Sequence, residues 1–217
     1  MSLIQDIIDN KLFVGHPKNQ SNPKTRASWA GVYNGQVMFD PAIIEEQLQT
    51  AKKIIKNALD KKKTVLILGD KEIYKEEVAT AAEKRGVFYM NHKIPAGVLS
   101  NSETLMGMIK TLTTLSSFVS SPSFFDLTKK EQSMKKRLLK KIELVYKGVK
   151  NLKSRPDLVV IIDGQMMQKF VHEAEKLRVP AIVCTSSNLD KWTDTHLVTC
   201  NINSSKSVEY VLNYILS

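Results

Sequence analysis

Two cysteines, Cys184 and Cys200, are too few for a disulfide framework, and both sit in apolar surroundings. They read as reduced core thiols rather than a disulfide or a metal site, which points to a reducing compartment. No apolar run reaches the roughly 18 residues that a bilayer demands, so no membrane span or membrane partner is expected. The opening, Met1 to Asn10, carries Asp6 and Asp9 but no Lys or Arg. It is neither a signal peptide nor an Arg-rich transit peptide, unless a longer precursor has been trimmed. Arginine is scarce as well: 5 against 27 lysines. Compact charges on flexible stems suit non-specific phosphate contact better than bidentate base reading, although a coding bias would give the same ratio.

The chemistry of common catalytic sites is missing too. After the apolar run ending at Leu68 come Gly69-Asp70-Lys71-Glu72, and after Ile162 come Asp163-Gly164-Gln165. Neither is a glycine-rich phosphate loop, and the acids would repel a phosphate. Asp163 at a strand end suits a metal or a sugar hydroxyl, but such an Asp more commonly caps the next helix. Cys184-Thr185-Ser186-Ser187 has no His near it in sequence, and His16, His92, His172 and His196 show no metal-ligand spacing. No catalytic residue, metal, cofactor or small-molecule substrate is therefore expected. An enzyme would require groups converging from distant segments.

What is present is an ordinary globular composition, 42% hydrophobic and 25% charged. Val65–Leu68, Leu158–Ile162 and Ala181–Cys184 are unalternated apolar runs, as strands buried on both faces are. Val37–Phe39, Val87–Met90 and Leu197–Cys200 are shorter strand candidates. Helices are expected over Ile43–Leu59, with Pro41 in the first turn, and over Glu72–Arg85, Met167–Leu177 and Val208–Leu216. Strands interleaved with helices give an α/β fold: a doubly wound, mainly parallel sheet flanked by helices. Residues 1–102 and 154–217 form this domain. Residues 103–153 are an inserted helical hairpin, with Leu105, Met108, Leu112, Leu115 and Val119 on its first helix. Thr128 and Glu131 form a capping box that opens the second. Met134, Leu138, Ile142, Val145 and Val149 are its stripe, so the two helices should zip as a coiled coil.

Charge is concentrated in that second helix. From Lys129 to Arg155 there are eleven basic residues and two acids, a net +9 of the chain's +10. Charge alone leaves two readings open, a solvated face or a surface for a polyanion. Two loops have matching chemistry. Gly15 to Arg26 and Asn91 to Asn101 are rich in amides, prolines and cations that can bond phosphate and ribose.

These loops resemble the bacterial and organellar form of the ribosomal protein S2 family of the small subunit. Val14-Gly15-His16 and Asn22-Pro23-Lys24 match its glycine-histidine and asparagine-proline-lysine motifs, with Gly31 and Asn34-Gly35 following. Asn91-His92, Lys93, Gly97, Leu99 and Asn101 match its second loop. Pro156-Asp157, Asp163, Glu173-Ala174, Pro180 and Asn188 follow in order, and the inserted hairpin is a feature of the family. The departures are Ser21 for a tryptophan, Asn19 and Gln20 for arginines, Ile94-Pro95-Ala96 for an aromatic-leucine-glycine run, and Ser186 for an aspartate. Gly164 to Met167 also stand where a proline and charged residues are usual. Such drift, in a short lysine-rich chain, points to a divergent organellar ribosome, mitochondrial before plastid or bacterial cytoplasm. The resemblance implies a non-enzymatic structural component of the small subunit, binding rRNA and neighbouring ribosomal proteins. The RNA-facing candidates are His16, Lys18, Asn22, Lys24, Arg26, His92, Lys93, Asn101, Lys135, Lys136, Lys140 and Lys141. The rivals are a doubly wound nucleotide- or sugar-binding enzyme and a basic protein–protein adaptor.

Overall fold

The computed structural model describes residues 3–190 and 195–217. The first two residues of the N-terminal segment, and residues 191–194, lie outside the described set. A short helix, α1 (Leu3–Asp9), precedes three antiparallel strands, β1 (Val14–Pro17), β2 (Trp29–Tyr33) and β3 (Gln36–Phe39), in the order β1-β3-β2. Of these strands only β3 is legible in the sequence. The hairpin between β2 and β3 turns on Asn34 and Gly35, both left-handed at φ 48° and 76°, which is the two-residue turn that matches strand twist. Asp40 then accepts the backbone N–H of Ala42 at 2.9 Å and starts α2 (Pro41–Asp60), with Pro41 in the expected place.

The centre is a parallel sheet of β4 (Val65–Leu68), β5 (Phe88–Met90), β6 (Leu158–Ile162), β7 (Ala181–Thr185) and β8 (His196–Thr199), in the order β5-β4-β6-β7-β8. The helices are α3 (Lys75–Arg85), α4 (Ser102–Val119), α5 (Lys129–Tyr146), α6 (Gln168–Lys176) and α7 (Ser205–Ile215). Alternate strand residues feed two cores. Val65, Ile67, Val160 and Ile162 pack with α1, α2, α3 and α7. Leu66, Leu68, Val159 and Ile161 pack with α4, α5 and α6. This two-sided burial makes the runs apolar without alternation, so the expected α/β doubly wound class holds, with the small antiparallel sheet added. Among the described residues, no helix is long and apolar enough to cross a membrane.

Two local expectations need correcting. Helix α3 starts at Lys75, not Glu72, because Tyr74 turns inward and is fully buried, which takes residues 71–74 out of helical geometry. The stripe on α5 is also rotated. The capping box at Thr128 and Glu131 forms, and Ile142 and Val149 are buried, but Met134 and Leu138 are 54% and 46% exposed. The face that packs runs instead through Leu139, Ile142 and Tyr146, against Leu105, Ile109, Leu112 and Leu115 of α4. Just past α5 the 3-10 turn Lys147–Val149 presses directly onto β5: a methyl at Gly148 would collide with the Tyr89 carbonyl and lie 2.8 Å from its ring.

Candidate nucleic-acid interface

In doubly wound sheets ligands enter the crevice at the carboxyl ends of the strands, where the strand order reverses. Here that point lies between β4 and β6, and side chains of the chain itself bond to one another across it. Lys71 Nζ lies 3.5 Å from Asp163 Oδ2 and donates to Asn203 Oδ1 at 2.9 Å. Asn203 Nδ2 is 2.9 Å from His16 Nε2, and His16 Nδ1 is 2.9 Å from Ser186 Oγ. The backbone N–H of His16 donates to Ser187 Oγ at 2.9 Å. Burial holds the His16 imidazole below its ordinary pKa, opposed by Asp163 and aided by Lys71. Asp163 also accepts the Met166 N–H at 3.1 Å in the turn before α6, but it does not cap that helix as expected: the N-cap is Met167, which makes no side-chain capping bond. Gly164 is required because a methyl would collide with Val183.

The first loop is anchored by the same end of the sheet. Asn22 accepts the Lys24 N–H at 2.9 Å and donates to Asp190 Oδ1 at 2.8 Å, while Lys24 Nζ reaches the Asp190 carbonyl at 3.2 Å. Bonds from Gln165 and Asn22, with the Lys24 charge, keep the Asp190 carboxyl below the usual carboxylate range. Lys18 and Arg26 are exposed on this loop. In the second loop Asn91 donates to the Lys75 carbonyl at 2.7 Å, and Asn101 caps α4 by accepting the Thr104 N–H at 3.1 Å. Glu173 of α6 accepts the N–H groups of Gly97 at 2.7 Å and Leu99 at 3.2 Å. Lys93 is exposed and His92 half-buried.

Helix α5 brings the charge to the second of these loops. Lys135, Lys136, Lys140 and Lys141 are all exposed. Lys129, Gln132, Ser133, Lys136, Arg137 and Lys140 line a shallow groove of about 350 Å³ along one face. Lys136 Nζ also sits 5.5 Å from the centre of the Phe124 ring, close enough for a cation–π contact that steadies it. Across the helix end, Lys140, Glu143, Leu144 and Lys147 meet Ala79, Tyr89, Asn91 and His92 in a cleft of about 310 Å³. Lys147 pairs with Glu83 at 3.3 Å, and the Tyr89 hydroxyl donates to the same carboxylate at 2.6 Å.

The fold thus brings His92 and Lys140 together and ties His16, Asn22 and Asn101 into intrachain bonds, with Lys18, Arg26 and Lys93 outward. Sequence reasoning missed Ser187 and Asn203 as partners of His16, and Lys71 as the donor that holds Asn203. The signal was topological: each follows a strand of the parallel sheet, so all must converge at its carboxyl edge. Among the described residues, no group of three or more His, Cys, Asp or Glu is placed to hold a metal ion.

The fold defines a doubly wound α/β domain whose strand-end crevice is bridged by its own side chains and whose excess positive charge is carried on α5. The family model for ribosomal protein S2 matches residues 7–217, and the chain belongs to that family. It is similar to the small ribosomal subunit protein uS2 of Chlamydia pneumoniae, at 29% identity over 212 residues, covering 98% of this chain and 76% of that one. The uS2 of Petrotoga mobilis is 27% identical over 210 residues, covering 97% and 73%. That of Picosynechococcus is 27% identical over 209 residues, covering 96% and 82%.

Proposed function

We propose that the chain is a structural component of the small ribosomal subunit, which holds rRNA against α5 and the loops after β1 and β5 and packs against neighbouring ribosomal proteins. Family membership supports the assembly. The observation that carries the RNA surface is the position of Lys140. It lines both the groove with Lys129, Lys136 and Arg137 and the cleft with His92 and Lys147. Cations that continue from an inserted helix to a sheet-edge loop suit a phosphate backbone, because lysines on a helix meet charge without reading bases. Lys135, Lys18, Arg26 and Lys93 widen the field. His16, Asn22, Lys24 and Asn101 serve it by fixing loop shape.

This reading gives the chain no catalytic role, cofactor or small-molecule substrate, since the crevice that would take a nucleotide is occupied by Lys71, Asp163, Asn203 and His16. The 103–153 hairpin is the part that reaches the RNA. We assign the ribosome to a mitochondrion on the departures at Asn19, Gln20, Ser21 and Ile94–Ala96; the relatives named are bacterial, so bacterial cytoplasm is the second reading.

The test is sedimentation of the tagged chain through a sucrose gradient, with organelle fractionation alongside. Co-migration with the small subunit is expected, and a free low-mass peak would sink the proposal. Lys136→Gln with Lys140→Gln should weaken association and leave circular dichroism unchanged. It should also lower the salt dependence of RNA binding by roughly 0.7–0.9 in log–log slope for each phosphate left without its lysine.

A further inference from the structure

Helix α5 has three distinct sides, and only two are accounted for. At about 100° per residue, Leu139, Ile142 and Tyr146 share the side packed against α4. Lys129, Ser133, Lys136 and Lys140 share the polar groove. The third side carries Lys130, Met134, Leu138, Lys141 and Val145, with Arg137 and Leu144 on its border with the groove and the cleft. On it Met134 and Leu138 are 54% and 46% exposed. The one acid at its margin, Glu131, is engaged with Thr128 in the capping box.

Phosphates reward the lysines of such a side but give nothing to a leucine or methionine. A solvated side gains nothing from exposed apolar groups either, and a helix stripe of this kind is how helices find partner helices. We propose that the Met134–Leu138 side of α5 docks an acidic amphipathic helix of another protein, while the Lys136–Lys140 side faces RNA. Met134 and Leu138, one turn apart, form the apolar seam. Lys130 and Lys141 flank it as the charges that choose an acidic partner, in the manner of the flanking positions of a coiled coil. The inference rests on the ribosomal reading only in that the chain works inside an assembly.

The experiment is zero-length carbodiimide coupling of intact particles containing the full tagged chain, which joins a lysine amine to a carboxylate only where the two touch. Amide links from Lys130 or Lys141 to Asp or Glu of one other protein are expected. Met134→Ser with Leu138→Ser keeps both lysines and should cut those links by roughly tenfold, the effect expected of one interface anchor. Three results would overturn the proposal: no carboxylate links from Lys130 or Lys141, links indifferent to the serine variant, or ultraviolet RNA adducts on the Met134 or Leu138 side chains themselves. Sedimentation of the same particles reports separately on the ribosomal reading. Circular dichroism of the serine variant guards against unfolding, since both residues are exposed in the free chain.

Discussion

Asn203 Nδ2 lies 2.9 Å from His16 Nε2, tying the loop after β8 to the first strand of the chain, 187 residues away. An amide nitrogen can only donate, so Nε2 accepts and the Nδ1–H is left to Ser186. The arrangement needs a neutral ring, and burial lowers the His16 pKa below its reference value of 6.5. Below that pH the unfolded chain binds this proton more readily than the folded one. Stability from this group is therefore complete at neutral pH and declines as pH falls below 6.5 toward the lowered folded value. His16→Gln should flatten the melting temperature between about pH 7 and 5 relative to the parent chain, read by differential scanning calorimetry. An equal slope in both proteins would mean that His16 titrates without consequence.

Gly148 and Gly107 make a matched pair on the hairpin. A methyl at 148 meets the Tyr89 backbone and ring, whereas one at 107 meets nothing within 4 Å. Gly148→Ala should destabilise the fold by about 1–3 kcal/mol, since backbone cannot give way as a flexible side chain can. Gly107→Ala, in the interior of α4, should stabilise by about 0.5–1 kcal/mol. Urea denaturation measures both, and equal midpoints would remove the claim that α5 is seated through Gly148.

The rotated seam gives a third contrast. Ile142 is 8% exposed and Leu138 is 46% exposed, although sequence spacing puts them on one stripe. Ile142→Ala should therefore lose about 2–5 kcal/mol. Leu138→Ala should lose under about 0.5 kcal/mol in the free chain, as surface sites do. Comparable losses would favour the stripe that periodicity suggests.

That contrast also shows where sequence reasoning reaches. Val65–Leu68 and Leu158–Ile162 declare themselves because burial on both faces leaves no room for a polar residue. Thr128 and Glu131 declare a helix start because the capping bonds are local. On α5 the apolar residues outnumber the face that packs, so periodicity cannot say whether Leu138 or Leu139 turns inward. Trp29–Tyr33 hides because Ala30 through Tyr33 stay exposed, leaving no pattern to find. The His16 network hides for another reason: its bonds span 170 to 187 residues, and only the strand order brings them together. The basic helix was visible as charge, but its division into a polar and an apolar–basic side needed the docked helix.

Glu173 offers the sharpest test of how loop shape serves binding. Its carboxylate receives the N–H groups of Gly97 and Leu99, and Gly97 holds a left-handed φ of 82° that this anchoring helps to fix. Glu173→Ala leaves two donors short of a charged acceptor, a loss of about 1.5–3 kcal/mol. The amides of Gly97 and Leu99 should exchange faster with deuterium while those of Val65–Leu68 keep their protection. Glu173→Gln should fall between, because its carbonyl can still accept one of the two bonds. The effect on RNA association separates two physical accounts. Removing an acid close to Lys93 makes the surface more positive, so charge alone would tighten binding. If the carboxylate matters because it holds the second loop in shape, Glu173→Ala binds RNA more weakly despite the added positive charge. Weaker association at low salt is the expected result, and tighter association would show that loop geometry contributes nothing.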